Sequence, residues 1–203
     1  MINILFDFDG TLFNTDKAHE DAYNHVFLKN DITPSHTYED IKGIKTVDIF
    51  KRYVDDEISH ILAKNKTESY LDSLGNIEPF VDFNLLKQCK ELGHRLFIVS
   101  GGSRISIHSL LKLHTIFDLF DGIITAGDYA KSKPDPEPFL TCISTYNISG
   151  DIVGVEDSMA GIISLKKANI TAIGVHNNAI KDSSDYFYKT INMFIKNHIL
   201  HEK

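Results

Sequence analysis

Cysteine is nearly missing from this chain of 203 residues: it occurs only as Cys89 and Cys142. Both fall within apolar helical patterns, so two buried free thiols are expected rather than a disulfide framework, and a reducing cytoplasm fits that usage. No long apolar run is present, and the start at Met1-Ile2-Asn3 has no charged-then-apolar leader, with an acid already at Asp7. The expectation is a soluble, cytoplasmic protein without a membrane role. Positive charge is also short: 21 Lys and Arg stand against 28 Asp and Glu, a formal charge of -7. That balance disfavours nucleic acid as the main partner, because a polyanion needs a basic surface, but leaves small phosphorylated metabolites open. The ten histidines are scattered without HExxH spacing, and neither a GxGxxG nor a Walker-type loop occurs, which weakens zinc-site and nucleotide-fold readings.

Against these absences stands Ile4-Leu5-Phe6-Asp7-Phe8-Asp9-Gly10-Thr11-Leu12. An apolar strand there runs into a glycine turn with two carboxylates one residue apart, and side chains two apart on a strand point the same way. Like charges so close are tolerable when a cation lies between them, and carboxylates suit a hard ion such as Mg2+. One acid could then attack while its neighbour carries protons. A solvated acidic turn is the plainer alternative from this segment alone.

Short buried strands are predicted at Asn3 to Phe6, Arg95 to Val99, Gly122 to Thr125, Asp151 to Val155 and Thr171 to Val175. Helical spacing separates most of them: Leu85, Cys89 and Leu92 before Gly93; Ile107, Leu110, Leu111 and Leu113; Met159, Ile162 and Ile163 after Ser158, a good N-cap. Alternation of this kind predicts an α/β fold, a Rossmann-like parallel sheet with helices on both faces, whose ligands bind beyond the carboxyl ends of the strands. Between about Thr15 and Gly75 only helical patterns occur, such as Ala22-Tyr23-Val26-Phe27 and Ile49-Phe50-Tyr53-Val54. A structureless loop of that length is improbable, so residues 15–77 are expected to form a small helical cap, with 1–14 and 78–203 as the core. The tail from Asp182 to Lys203 is expected to hold an aromatic-containing segment and a closing helix, structural rather than catalytic.

Three strand ends carry further chemistry. Ser100-Gly101-Gly102-Ser103 could cradle an anion with a hydroxyl and bare amides, or be a plain turn. Lys131-Ser132-Lys133-Pro134 puts a lysine in a proline-stiffened approach to a helix, and Val155-Glu156-Asp157-Ser158 adds two acids. Each is ordinary alone.

Together, Asp7-Phe8-Asp9-Gly10-Thr11, Ser100, Lys133 and Glu156-Asp157, in this order, resemble the four motifs of the haloacid-dehalogenase superfamily. The helical insert and the run from Val155 to Ile162 are similar to its branch of beta-phosphoglucomutase, phosphoglycolate phosphatase and sugar-phosphate phosphatases. The resemblance implies that Asp7 attacks phosphorus and carries an aspartyl-phosphate, and that Asp9 protonates the leaving oxygen and then activates water. It implies Mg2+ held by the Asp7 carboxylate, the Asp9 main-chain carbonyl and Asp157, with Glu156 a direct or water-mediated ligand. Ser100, the Gly101 amide and Lys133 would steady the phosphoryl oxygens. Within the insert, Thr15, His19, Lys42 with Gly43, and Lys66 with Tyr70 resemble residues of the mutase that meet the substrate or position the proton-carrying acid. Solvated helix residues are the plainer reading of each.

One departure matters. Where the mutase pattern has an arginine for the distal phosphate, this chain has Thr46, and threonine cannot replace a planar charged fork. Lys45 or Arg52 could compensate. The expectation is therefore a Mg2+-dependent phosphatase acting on a small phosphomonoester, as a monomer or weak dimer. A beta-phosphoglucomutase-like mutase is the alternative, and a phosphoacceptor domain without turnover is a third reading.

Overall fold

The computed structural model describes residues 1–200. Short runs rich in branched and aromatic residues, which fit a pleated surface, form β1 (Ile2–Phe6), β2 (Arg95–Val99), β3 (Gly122–Ile124), β4 (Asp151–Glu156), β5 (Thr171–Val175) and β6 (Tyr186–Tyr188). They make one sheet in the order β3-β2-β1-β4-β5-β6, every pair parallel. β1 is central, with Leu5 opposite Phe97 of β2 on one side and Gly154 of β4 on the other.

Helices α1 (Asp16–Lys29), α2 (Thr46–Phe50) and α3 (Asp56–Leu71) fill the stretch after β1, ahead of α4 (Phe83–Glu91). After β2, β3 and β4 come α5 (Arg104–Leu113), α6 (Glu137–Thr145) and α7 (Met159–Lys167), and α8 (Ile191–Phe194) follows β6. Parallel strands need such crossovers, which cover both faces. Alternation along β1 divides the core accordingly. Ile4 and Phe6 pack with Leu86, Cys89, Leu110 and Phe194 on one face, and Leu5 packs with Phe97, Phe139, Cys142 and Leu165 on the other. The helices after β1 have a cluster of their own around Tyr23, Phe27, Phe50 and Leu62.

This segment leaves and rejoins the sheet region through paired linkers. Asn14 N–H donates to the Glu78 carbonyl (2.9 Å), Phe80 N–H donates to the Leu12 carbonyl (2.9 Å), and Phe13 bridges Pro79 antiparallel. The chain therefore departs and returns at one place, directly after the Asp7 to Gly10 turn.

The α/β class, the five expected strands and the two buried free thiols are found as expected. Burial pushes the Cys89 thiol up to about 11 and the Cys142 thiol to about 12, which makes both inert. No helix among the described residues is long and apolar enough to cross a membrane.

Three expectations need correction. Leu92 and Leu113 are exposed because they lie at the last turns of α4 and α5, where the chain leaves the sheet, while Met159 and Ile163 flank rather than face the core side of α7 marked by Ile162 and Leu165. Tyr53 and Val54 continue the apolar spacing of α2 as a turn, since the helix stops at Phe50. The aromatic tail segment is itself an edge strand, β6, three residues being too few for a period to be read. The closing helix then passes from α8 into a wider turn over Ile195–Ile199, and the end of the expected tail, 201–203, lies outside the described residues.

Leu5 has no exposed surface and sits at the centre of the sheet. Leu5→Ala is expected to cost about 2–5 kcal/mol in equilibrium urea unfolding, and a loss below about 1 kcal/mol would contradict its packing on both neighbours.

Candidate active site

Asp7 extends the β1 ladder by one residue, its N–H donating to the Val155 carbonyl of β4 (2.9 Å). The chain then turns: Gly10 N–H donates to the Phe13 carbonyl (2.8 Å) and Leu12 N–H to the Phe8 carbonyl (3.0 Å). Gly10 has φ +80°, and a Cβ there would collide with the Asp157 carboxylate and lie 2.7 Å from Lys42 Nζ. Glycine meets both the handedness and the crowding.

Because β1 lies between β2 and β4, the ends of all three strands meet. Lys133, from the loop before α6, is wholly buried among them. Its Nζ donates to Asp7 Oδ1 (2.7 Å), Glu156 Oε1 (2.6 Å) and the Val99 carbonyl (3.0 Å), filling all three of its hydrogen-bonding positions. Ser158 caps α7 by accepting from Gly161 N–H (3.0 Å), and its hydroxyl donates to Glu156 Oε2 (3.0 Å). Asp157 accepts from the Thr11 hydroxyl at Oδ1 (2.9 Å). Ser100 Oγ donates to Asp9 Oδ2 (3.2 Å) and accepts from Gly102 N–H (2.9 Å).

The segment after β1 lies over this edge. His19 Nε2 is 2.8 Å from Asp9 Oδ1, and Lys66 Nζ hydrogen-bonds the other ring nitrogen, Nδ1. Lysine only donates, so Nδ1 accepts and Nε2 carries the hydrogen given to Asp9. Tyr70 stacks on the His19 ring at 4.3 Å, and Lys66 Nζ lies 4.6 Å from the Tyr23 ring centroid. Lys42 Nζ donates to Asp16 Oδ2 (2.6 Å) and ion-pairs with Asp157. Thr15 is buried beside Asp9. Gly101 takes the close approach of this segment, for a Cβ there would be 3.0 Å from the Gly43 carbonyl oxygen.

A cavity of about 40 Å³ remains, with Asp7, Asp9, His19, Lys42, Lys66 and Gly101 in its walls. Every expected site residue is thus brought to one place, and none of Thr15, His19, Lys42 and Lys66 is solvated. Lys45 and Arg52 do not take over the missing arginine's position. Lys45 Nζ donates to the Tyr129 carbonyl (2.8 Å) outside this cavity, and Arg52 is exposed, while Thr46, in the wall, accepts from the Tyr23 hydroxyl (3.1 Å).

Burial and the neighbouring Glu156 push Asp7 up despite Lys133, and burial pushes Asp157 up to about 7 against the opposing pull of Lys42. Burial also acts upward on Asp9, but His19 together with Lys66 and Thr15 outweighs it and holds the carboxyl at about 2. Burial pushes Lys66 down to about 7, and burial with the Lys66 charge pushes His19 down. Lys133 goes the other way: burial is outweighed by Asp7 and Glu156, so it stays charged.

Asp7, Glu156 and Asp157 each offer a buried oxygen within 4.8 Å of the others. Two of these acids resist ionisation for want of positive charge, and the donors are hard carboxylate oxygens. The set fits a divalent ion such as Mg2+. Glu156 has both oxygens engaged by Lys133 and Ser158, so it has the least capacity left for an ion.

Comparison with known proteins agrees with this geometry. The family model of the haloacid dehalogenase-like hydrolases matches residues 4–175. The chain belongs to this family. Haloacid dehalogenase-like relatives include the validoxylamine A 7'-phosphate phosphatase of Streptomyces hygroscopicus subsp. limoneus, 28% identical over 180 residues and covering 84% of each chain. The fructose-1-phosphate phosphatase YqaB of Escherichia coli is 28% identical, with 85% of this chain and 95% of that one covered. Among solved structures, beta-phosphoglucomutase from Clostridium difficile superposes with a TM-score of 0.86 at 26% identity, covering 99% of this chain and 96% of that one. The family is one of hydrolases.

Sequence reading assigned no role to Thr11, Asp16 or Asn177. Thr11 lay within the first motif and was open to assignment. Asp16, which holds Lys42, and Asn177, whose amide donates to the Asp157 carbonyl (3.0 Å) and Glu39 Oε1 (2.8 Å), act on other site residues across long sequence distances and leave no local signal.

Below about pH 7 the metal-free protein holds a proton on Asp157 that a cation must displace. The Mg2+ dissociation constant, measured by isothermal titration calorimetry, is expected to rise about tenfold per pH unit as pH falls below 7 and to level off above it. A flat profile from about pH 6 to pH 8 would contradict Asp157 as a ligand.

Proposed function

We propose that the protein is a Mg2+-dependent phosphatase that hydrolyses a small phosphomonoester, a sugar phosphate or similar metabolite, through an aspartyl-phosphate on Asp7. The observation that carries this reading is the buried Asp7 carboxylate held by Lys133 at 2.7 Å, with Asp9 two residues on and bonded to a histidine. Asp7 attacks phosphorus in line, the bond to the ester oxygen breaks, and Asp9 gives that oxygen a proton. Asp9 then takes a proton from water, whose oxygen attacks the aspartyl-phosphate, releasing phosphate and restoring Asp7.

Asp9 stands ionised, the form that activates water. The proton it delivers in the first half comes along the hydrogen bonds it already makes. Lys66 passes one to His19 Nδ1 and His19 Nε2 passes one to Asp9, a transfer helped by the lowered Lys66 pKa of about 7. Lys133, Ser100 and the Gly101 amide would hold the phosphoryl oxygens, so that catalysis rests on positioning and charge. Mg2+, held by Asp7, the Asp9 main-chain carbonyl and Asp157 with Glu156 nearby, supplies neutralisation of the phosphoryl charge when bound. Residues 15–77 act as a cap that closes over the substrate.

A mutase remains the second reading, because His19, Lys42 and Lys66 all reach the cavity and a beta-phosphoglucomutase superposes closely. Thr46 favours hydrolysis over it. A mutase must grip two phosphates of a bisphosphate while excluding water, and this wall has no guanidinium to do so.

The test is product analysis with a panel of phosphorylated metabolites, including beta-glucose 1-phosphate. Free phosphate is expected; glucose 6-phosphate as the main product would establish the mutase instead. Asp7→Asn is expected to lower turnover at least about a thousandfold and Asp9→Asn at least about a hundredfold, with circular dichroism unchanged. EDTA is expected to abolish phosphate release and excess Mg2+ to restore it. Wild-type rates in Asp7→Asn would remove the aspartyl-phosphate from the scheme.

A further inference from the structure

The cavity around Asp7 is too small to take more than the phosphoryl group and its first neighbours, yet it is not closed. Beside Thr46, Thr67, Gly101 and Ser103 it adjoins a second cleft of about 390 Å³, these four residues standing in the walls of both. None of the four has a bulky side chain. The second cleft lies between α2 and α3 on one side and the turns after β2 and β3 on the other. Its volume falls within the roughly 300–1,000 Å³ of ordinary ligand sites.

The chemistry of the walls narrows what fits. Thr46, Thr67 and Ser103 offer hydroxyls, Asp48 a carboxylate, and Ala63 and Ala126 small apolar patches. Among the described residues, the exposed imidazole of His60 is the one ring in the cleft's walls, and no arginine lines it to grip a second phosphate. Its two ammonium groups are already held: Lys51 by Asp56 (2.6 Å), and Lys45 by the Tyr129 carbonyl (2.8 Å) and the ring beneath it (4.8 Å). Asp48, whose carboxylate accepts from the Ser132 hydroxyl (2.6 Å), offsets the charge of Lys45, as Asp56 offsets that of Lys51, so the walls present no surplus charge to a second anion. Hydroxyl-rich, uncharged groups are what such donors and acceptors recognise.

We propose that this cleft receives the leaving group, and that the substrate is the monophosphate of an uncharged polyol of two-ring, disaccharide-like size. This deepens the phosphatase reading and rests on it. The phosphate enters the small cavity, the first ring sits beside Thr46, and the second lies between Asp48 and Ala63.

The test compares kcat/KM of the full-length protein with Mg2+ for glycerol 3-phosphate, glucose 6-phosphate, glucose 1,6-bisphosphate and two-ring esters (trehalose, sucrose and lactose 6-phosphates). At least one two-ring ester is expected to exceed glucose 6-phosphate by about tenfold or more, and the bisphosphate to show no gain. Gly127→Phe and Ala130→Phe fill the cleft from exposed loop positions, and a Cβ at Gly127 meets nothing within 4 Å. Either variant is expected to reduce the ratio of two-ring to one-ring kcat/KM by about tenfold. If every two-ring ester falls at or below glucose 6-phosphate, or if the filled variants keep the wild-type ratio, the cleft does not bind the leaving group, although hydrolysis of the smaller esters still stands. A preference for the bisphosphate would also overturn it. If none of these esters and not even p-nitrophenyl phosphate releases phosphate, the phosphatase reading fails and this proposal with it.

Discussion

The structure depends on keeping four acids, Asp7, Asp9, Glu156 and Asp157, within one largely buried edge of a sheet. Carboxylates so crowded and dry cannot all stay ionised without nearby positive charge, and the chain supplies it from two directions. Lys133, from the same α/β layer as the acids, binds Asp7 and Glu156. The rest comes from the segment after β1, where Lys42 pairs with Asp157 and Lys66 reaches Asp9 through His19. Negative groups thus belong to the sheet edge and most of their partners to the helices above it. The site is electrically complete only where the two meet, and a divalent ion would complete what Lys42 and Lys133 leave short.

Strand order makes this concentration possible. With β1 between β2 and β4, residues far apart in the chain end side by side: Asp7, Ser100 and Glu156 need no long loops to reach one another. The two flanking clusters hold the strands from opposite faces, so the edge is fixed by buried side chains rather than by the site's own polar contacts. The paired linkers alone carry the chain between the sheet and the helices over it.

Much of this was legible in the sequence because parallel strands are buried on both faces and announce themselves as short apolar runs. Ile4 to Phe6, Leu96 to Val99 and Ala172 to Val175 are such runs, and all lie in the sheet. β6 was not legible, since Tyr186 is exposed, Phe187 and Tyr188 are only partly buried at an edge, and three residues are too few to set a period. Helical spacing fixed the existence of α4, α5 and α7 but not how far their apolar stripes reach, which is why Leu92, Leu113 and Met159 turned out exposed. In the site, the acids and Lys133 stood in short motifs at strand ends and were found together. His19, Lys42 and Lys66 looked equally like solvated helix residues; only the folding of the segment back onto the sheet edge buries them. Asp16 and Asn177 were invisible because they act on another residue's side chain or backbone rather than through any local pattern.

The ribbon formed by Leu12 to Asn14 against Glu78 to Phe80 gives the fold a single doorway. Because the segment between those two strips leaves and re-enters at one place, His19, Lys42 and Lys66 are carried over the acids as one piece, and the groups that steady Asp9 and Asp157 arrive together rather than residue by residue.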